Sequence, residues 1–353
     1  MKLRPVDNPP NPYSSQHAEW LEPPPLARVE VYEESSRSVL THNTSPDLPF
    51  AWSVNPYRGC QHACSYCYAR RYHEYLGLGA GTDFDTKIVA KINAPQLLRK
   101  ALHRTTWKND TVEFSGVTDC YQPIEASYGI TRRCLEVCLE LGNPVAVTTK
   151  GFLVVRDAHL LGELEARSGA HVYVSIPFAD ATTSRLFEPQ APPPERRFEI
   201  IRRLRRAGVP VGVLVSPLIP GLNDRDIPIL LERAAESGAT SASFSLLRLS
   251  GSVEPVFVRR LCEVLPLRAR GILDLLRGMR DGAVDSPVFF QRMEGSGAHW
   301  GAVASLFEIS KKRFGLDGPA NIGRPARDRT KSRATSHNKT PSTDGQLTLD
   351  FGG

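Results

Sequence analysis

Three of the seven cysteines fall within eight residues, as Cys60, Cys64 and Cys67, with the spacing C-x3-C-x2-C. A loop this tight brings three sulfurs together, and soft thiolates select zinc or an iron–sulfur cluster. A structural zinc site closes with a fourth ligand. His62 and His73 are the nearby candidates for it. A [4Fe–4S] cluster usually takes four cysteines. Three would leave one iron open, and an open metal position is a site for chemistry. An odd cysteine count with a cluster favours metal or catalysis over a disulfide framework. The opening MKLRPVDNPPNPY has no apolar h-region, and no run approaches the ~18–20 apolar residues of a membrane span. The expectation is a cytoplasmic protein whose thiols stay reduced.

The elements that must carry this loop alternate between strand and helix patterns. Short β-like runs are TVEFSG (111–116), PVAVTTK (144–150), HVYVSIP (171–177), PVGVLVSPLIPG (210–221) and ATSASFSLLRL (239–249). Helical periodicity marks 131–142, 157–169, 193–208, 226–238 and 255–265, with Asp157 reading as a cap. The unit recurs about every thirty residues, the size of a βα pair. With a first strand just before Cys60, the chain predicts an α/β fold with six units. Both strand faces read as apolar, as in a parallel sheet covered by helices. The architecture is a partial TIM-type (βα)6 barrel, or a full barrel closed by helices near 266–280 and 300–314. Cys60, Thr118, Lys150, Ser175 and Pro217 all fall at strand ends, where such barrels place their chemistry. Residues 1–50 read as an irregular N-terminal extension with one strand-like patch at Ala27–Tyr32 (ARVEVY), and 51–314 as the barrel with its C-terminal helices. Residues 315–353 read as a flexible basic tail, too poor in large apolar side chains to repay ordering.

Cys60, Cys64, Tyr66 and Cys67 form C-x3-C-x-(aromatic)-C, which resembles the signature of the radical S-adenosylmethionine (SAM) superfamily. The resemblance implies that SAM chelates the open iron of a [4Fe–4S] cluster. It further implies reductive cleavage of SAM, giving a 5′-deoxyadenosyl radical that takes hydrogen from a substrate. More of the chain resembles the spore photoproduct lyase-like branch. NPYRGCQHACSYCYAR, TDCYQPIE (118–125), TTK (148–150) and VSIP (174–177) carry that similarity. By position, the resemblance puts Tyr66 by the adenine and Thr118 and Asp119 at the methionine amino group. Lys150 would pair with the SAM carboxylate, and Ser175 would meet the methionine or ribose. Pro217 and Ile219 would pack on adenine, with Asn223 near its polar edge. Each also has a plain structural reading as a turn, strand or solvated residue.

Cys120 follows Asp119. In the branch it resembles, a hydrogen-donating cysteine precedes the corresponding pair, so the offset differs here. Cys120 reads as a hydrogen donor or as a small buried residue. Tyr121 reads as a stacking surface or radical relay, and Glu125 as a substrate ligand or a helix cap. Cys134, Cys138 and Cys262 lie on apolar helical stripes and read as core.

The formal charge of +6 suits a polyanionic partner. Six arginines on helix 193–208 read as a solvated outer face, whereas Arg70 and Arg71 are better placed for a phosphate backbone. The chain ends DGQLTLDFGG. Gln346, Leu347, Leu349 and Phe351 form an apolar island on a polar tether, as docking peptides do. The island resembles the bacterial sliding-clamp-binding peptide. The resemblance to the lyase-like branch implies a lesion or unusual base in DNA as the substrate, with flavodoxin or ferredoxin as reductant. The alternatives are RNA or a protein side chain as substrate, or a non-catalytic, metal-stabilised DNA-binding module.

Overall fold

The structure is a computed structural model and describes residues 8–13 and 28–318. Ten strands follow in chain order: β1 (Glu30–Glu34), β2 (Leu40–His42), β3 (Trp52–Val54), β4 (Tyr57–Arg58), β5 (Lys87–Lys91), β6 (Val112–Phe114), β7 (Val145–Thr149), β8 (Ala170–Ser175), β9 (Val211–Leu218) and β10 (Ser241–Leu246). They build two sheets. The larger has the order β10-β9-β8-β7-β6-β3-β2, and the smaller β1-β5-β4. From β3 to β10 every neighbouring pair in the large sheet is parallel. Those six strands are the six units of a partial TIM-type barrel, an α/β fold.

Residues 28–50 are less irregular than their composition suggests. β2 adds an antiparallel edge to β3, and β1 pairs in parallel with β5. The backbone groups of this stretch are thus satisfied by the sheets it flanks. The smaller sheet also holds the strand that leads into the cysteine loop, since β4 pairs with β5.

Local sequence explains the helices. Gly142, in the left-handed region, ends Ile130–Leu141, and proline opens Pro194–Arg206. Asp157 does not cap its helix through its side chain. Its carboxylate instead receives Tyr121 Oη at 3.1 Å, Arg132 at 3.1 Å and Arg156. The first turn of Ile130–Leu141 is capped by Glu125, which accepts the amides of Thr131 at 2.9 Å and Arg132 at 3.2 Å, plus the Tyr57 hydroxyl.

The two faces of the large sheet differ. Val112, Phe114, Val145, Val147, Val172, Val174, Val211 and Val213 join helix side chains such as Leu135, Leu161 and Ile201 in one apolar cluster. The intervening residues face the other way, and they are Glu113, Thr148, His171, Tyr173 and Ser175 beside Ala146, Gly212 and Leu214. The inner face of the barrel therefore carries a polar patch on β6, β7 and β8, and is not apolar throughout as the strand runs suggest. Glu113 accepts the Thr148 hydroxyl at 2.8 Å, and burial pushes its carboxyl up to about 8. At the far edge, Ala242 and Gly318 amides bond Leu316 O and Thr240 O, so the chain leaves beside the N-terminal end of β10.

Candidate functional site

The cysteine loop is held from several directions. Gly59, before Cys60, has φ +75°, and a Cβ there would press on the Lys87 and Phe84 carbonyls at 3.0 Å. Only glycine meets both demands easily. Its carbonyl accepts Thr118 Oγ1 at 2.5 Å and Gln122 Nε2 at 3.0 Å. The Cys60 amide donates to Phe84 O, the Ser65 amide to Phe187 O, and the Gln190 amide to His62 O. Arg70 is fully buried inside the turn. It donates to Cys64 O at 2.8 Å, to Ala80 O and Gly81 O, and pairs with Asp85 at 2.8 Å. Arg70 therefore folds the loop and has no surface left for a phosphate. Arg71 is half-buried.

Cys60 and Cys64 are buried and Cys67 half-buried, all as free thiols. Burial raises all three, Cys64 to about 12. Positive metal charge is what lets such thiols ionise. His62 is committed to Asp119, Nδ1 to Oδ2 at 3.2 Å. His73 packs edge-on against Phe84, and burial lowers it to about 4. Among the described residues no three His, Cys, Asp or Glu side chains converge as a single metal ion needs. A [4Fe–4S] cluster takes each thiolate on a separate iron, so its ligands need not converge on one point. This donor set fits a cluster held by three cysteines better than a closed zinc site.

Asp119 accepts the Lys150 amide at 2.8 Å and Thr149 Oγ1 at 2.6 Å besides His62. Burial alone would raise its carboxyl, but these partners outweigh it and hold the group well below the usual range. Beside Cys64, a second buried carboxylate collects cations. Glu188 accepts the Tyr66 hydroxyl, Ser184 Oγ at 2.9 Å and the Arg197 guanidinium, and lies 3.9 Å from Lys150 Nζ. The Lys150 ammonium stands 5.7 Å from the Tyr66 ring centre. Arg197 is also completely buried and donates to Ser175 O at 3.1 Å. It opens a helix at the strand-end rim, so it is not part of a solvated outer face. Ser175 Oγ donates to Ser216 O at 3.0 Å.

The structure thus gathers Cys60, Cys64, Cys67, Tyr66, Thr118, Asp119, Lys150 and, through Arg197, Ser175. It separates others. Cys120 is fully buried in the core, its amide held by Ser115 Oγ and its carbonyl by Thr131. Its thiol has no exposed surface from which to meet a substrate. Tyr121 is equally buried, with its hydroxyl on Asp157, so it offers no stacking face. Asn223 accepts the Ile219 amide at 2.7 Å and donates to Pro177 O at 2.7 Å and Pro217 O at 3.0 Å. It staples the β8 and β9 loops and keeps no free polar edge, and Ile219 is fully buried beneath it. Pro217 is half-buried. Cys134 and Cys138 are core residues, but Cys262 is exposed. Gln346, Leu347, Leu349 and Phe351 lie outside the described residues.

Glu188 and Arg197 escape sequence reasoning. The available signal is a glutamate and an arginine nine residues apart after a strand, bracketing the prolines at 192–194.

The Radical SAM superfamily model matches residues 54–234, just over half of the chain. Uncharacterized proteins of Mycobacterium bovis and Mycobacterium tuberculosis are 38% identical over 221 residues, 62% of this chain and 65% of theirs. The chain thus spans a little under two thirds of those relatives. A protein of Pseudomonas phage M6 named Radical SAM Nalpha-GlyT isomerase is 24% identical over 256 residues, 71% of this chain and 51% of that one. In fold, the chain is similar to spore photoproduct lyase complexed with dinucleoside spore photoproduct. The TM-score is 0.60 at 15% identity, over 80% of this chain and 79% of that one. Three thiols on a strand-end loop of a six-stranded parallel barrel and the match across that region give one conclusion: the chain belongs to the Radical SAM superfamily, whose cofactors are a [4Fe–4S] cluster and SAM.

Proposed function

We propose that this protein is an enzyme that uses SAM at a [4Fe–4S] cluster to abstract hydrogen from a modified or damaged base in DNA. The observation that carries the reading is the loop of three thiols with no fourth ligand among the described residues, set beside the Lys150–Glu188–Arg197 group. Cluster and SAM, when bound, supply hydrogen-atom abstraction. The protein's own residues hold and orient. Cys60, Cys64 and Cys67 would each hold one iron of the cluster. Thr118 fixes the loop through Gly59 O, and Asp119 presents a charged carboxylate at the next strand end. Lys150 offers a cation to a carboxylate ligand. Glu188 and Arg197 keep that cation and Tyr66 in place from beneath. The buried polar patch of the inner face, including Glu113 and Tyr173, suits a substrate with hydrogen-bonding edges better than a hydrocarbon.

The DNA part of the reading is supported by the dinucleoside bound to the similar lyase and by the net charge of +6. A base in a duplex would have to leave the stack to reach the barrel. We also propose that Gln346, Leu347, Leu349 and Phe351 dock on the bacterial sliding clamp, with a flavodoxin or ferredoxin as electron donor. Residues 316–318 leave beside the N-terminal end of β10. A tether from there starts at the barrel end opposite the cysteine loop. No helix among the described residues is long and apolar enough to cross a membrane.

The test is anaerobic reconstitution with iron and sulfide, dithionite reduction with SAM, and assay of 5′-deoxyadenosine with and without damaged oligonucleotides. Product that disappears in Cys64→Ala supports the chemistry. A loaded cluster that yields none, with or without damaged DNA, leaves the binding-module reading.

A further inference from the structure

Arg248 lies two residues beyond β10, on the rim that carries the cysteine loop. It is half-buried, and its Nε is buried without a hydrogen-bond partner. Asp285, the acid that acts on it, is taken by Arg280 at 3.6 Å and by the Leu249 amide at 3.2 Å. A second cation in that field, Arg292, is already neutralised by Asp47. Among the described residues, Arg248 is therefore a partly desolvated cation with no carboxylate of its own. Such a group is costly unless an anion completes it.

Two tyrosines share that field. Tyr68 and Tyr72 stand on the 3-10 helix Tyr68–Leu76 that follows Cys67, and they are 41% and 39% exposed. Tyr68 Oη donates to Gly116 O at 2.7 Å, which pins the ring across the mouth toward β6. Tyr68 directly follows Cys67 and its hydroxyl reaches just past the end of β6, so it spans from the cluster loop to the strand-end rim, and its helix packs on Val253–Val264, the helix that follows β10. The Arg71 guanidinium is 5.9 Å from the Tyr72 ring centre and adds a second cation on the outer side.

An exposed aromatic fixed on the same strand-end rim as a partly buried guanidinium matches a nucleotide. The planar fork of arginine takes phosphate oxygens, and aromatic faces take unstacked bases whatever their sequence. We propose that Arg248, Tyr68 and Tyr72 form a nucleotide subsite at the barrel mouth, the arginine on a backbone phosphate and the tyrosines on a base. The subsite rests on the nucleic-acid reading above and adds the residues that would recognise it.

The experiment is fluorescence anisotropy with the full-length, cluster-loaded protein and a labelled single-stranded oligothymidylate 12-mer, over a salt series. The wild type should bind with an affinity that falls as salt rises. Arg248→Gln should weaken binding about tenfold and reduce the salt slope by roughly one phosphate contact. Tyr72→Ala should weaken it about five- to a hundredfold with the salt slope unchanged. Arg248→Lys should recover part of the loss. Iron content and circular dichroism equal to wild type separate these effects from misfolding. Wild-type binding that neither substitution changes would overturn the subsite and leave the nucleic-acid reading standing. No wild-type binding at low salt would overturn that reading and the subsite together. Equal displacement by a polyglutamate peptide of matched charge would mean generic polyanion contact, and would overturn the subsite too.

Discussion

Gln61 and Gln122 hold each other across two loops. The Gln61 amide donates to Gln122 Oε1 at 2.9 Å, and Gln61 Oε1 accepts the Ile124 amide at 2.7 Å. Gln122 then spends both remaining hydrogens on Gly59 O and Thr118 Oγ1, each at 3.0 Å. One fully buried amide thus couples the cysteine loop to the end of β6. Leaving a buried amide or carbonyl unpaired costs about 1–3 kcal/mol.

Gln122→Ala should therefore lower the stability of the cluster-free protein by about 2 kcal/mol. It should also lower the iron and sulfide bound after reconstitution, because Gly59 would lose a restraint one residue before Cys60. Urea unfolding and iron analysis read the two effects. Gln122→Glu keeps the acceptor toward Gln61 but brings a charge beside Asp119, so it should rescue little. Full iron loading in Gln122→Ala would show that the loop holds itself.

Arg197→Ala should be among the most destabilising single changes. It removes the fully buried partner of a fully buried Glu188, and breaking such a pair costs about 3–5 kcal/mol. The pH dependence has a definite sign. Burial would raise Glu188, but Arg197 and Lys150 hold it below the ordinary glutamate value. In the wild type this contribution is present above that ordinary value and is lost as pH falls through the depressed one. In Arg197→Ala the carboxyl keeps Lys150, Tyr66 and Ser184 but loses its main counterion against burial, so acid should relieve part of the deficit. Unfolding curves at pH 5 and pH 7.5 should show the gap narrowing at the lower pH. A gap that widens there would reject this account.

The cysteine loop and the βα alternation were legible because both signals are local. Three thiols in eight residues need no tertiary information, and TVEFSG or PVAVTTK announces a strand by composition alone. The alternation of His171, Tyr173 and Ser175 with Val172 and Val174 signals a polar patch on the inner face, but the overall apolarity of the runs masks it. Arg70 and Arg197 read as surface because long cationic side chains usually are. Each is buried by partners far from it in sequence or beyond its own element: Asp85 and Ala80 for the first, Glu188 and Ser175 for the second. Asn223 misled differently. Its position after a Pro-rich turn suggested a ligand edge, but three backbone groups from two loops consume its amide.

Asn223 gives a sharper test through two substitutions. Asn223→Asp keeps the acceptor for the Ile219 amide and loses both donations, to Pro177 O and Pro217 O. Asn223→Ala loses all three. Each orphaned buried group costs about 1–3 kcal/mol, and a buried aspartate adds its own desolvation cost at neutral pH. Both variants should unfold at lower urea concentration. Asn223→Asp should regain stability as pH falls and its carboxyl protonates, whereas Asn223→Ala should show no such gain relative to wild type. Parallel pH profiles for the two would mean that the staple does not exist as described.

Glu113 makes the last prediction. It is buried on the inner face, with one oxygen on Thr148 and the other unpartnered. Burial pushes its carboxyl up to about 8, so the folded protein keeps a proton that the unfolded chain releases near its ordinary value. Between those two values the native state binds more protons than the unfolded state. Stability must therefore fall as pH rises, by at most about 1.4 kcal/mol per pH unit from this group. Above pH 8 the penalty is fully present. Glu113→Gln keeps the shape and an acceptor for Thr148 but cannot titrate. The wild type should thus lose stability between pH 5 and pH 8 relative to Glu113→Gln, and the variant should be the more stable of the two at pH 8.5. Thermal melts across that range measure the difference directly. Identical profiles would mean that water or a neighbouring cation keeps Glu113 ionised in the folded protein. The polar patch of the inner face would then present a charge, and not a neutral carboxyl, to whatever enters the barrel.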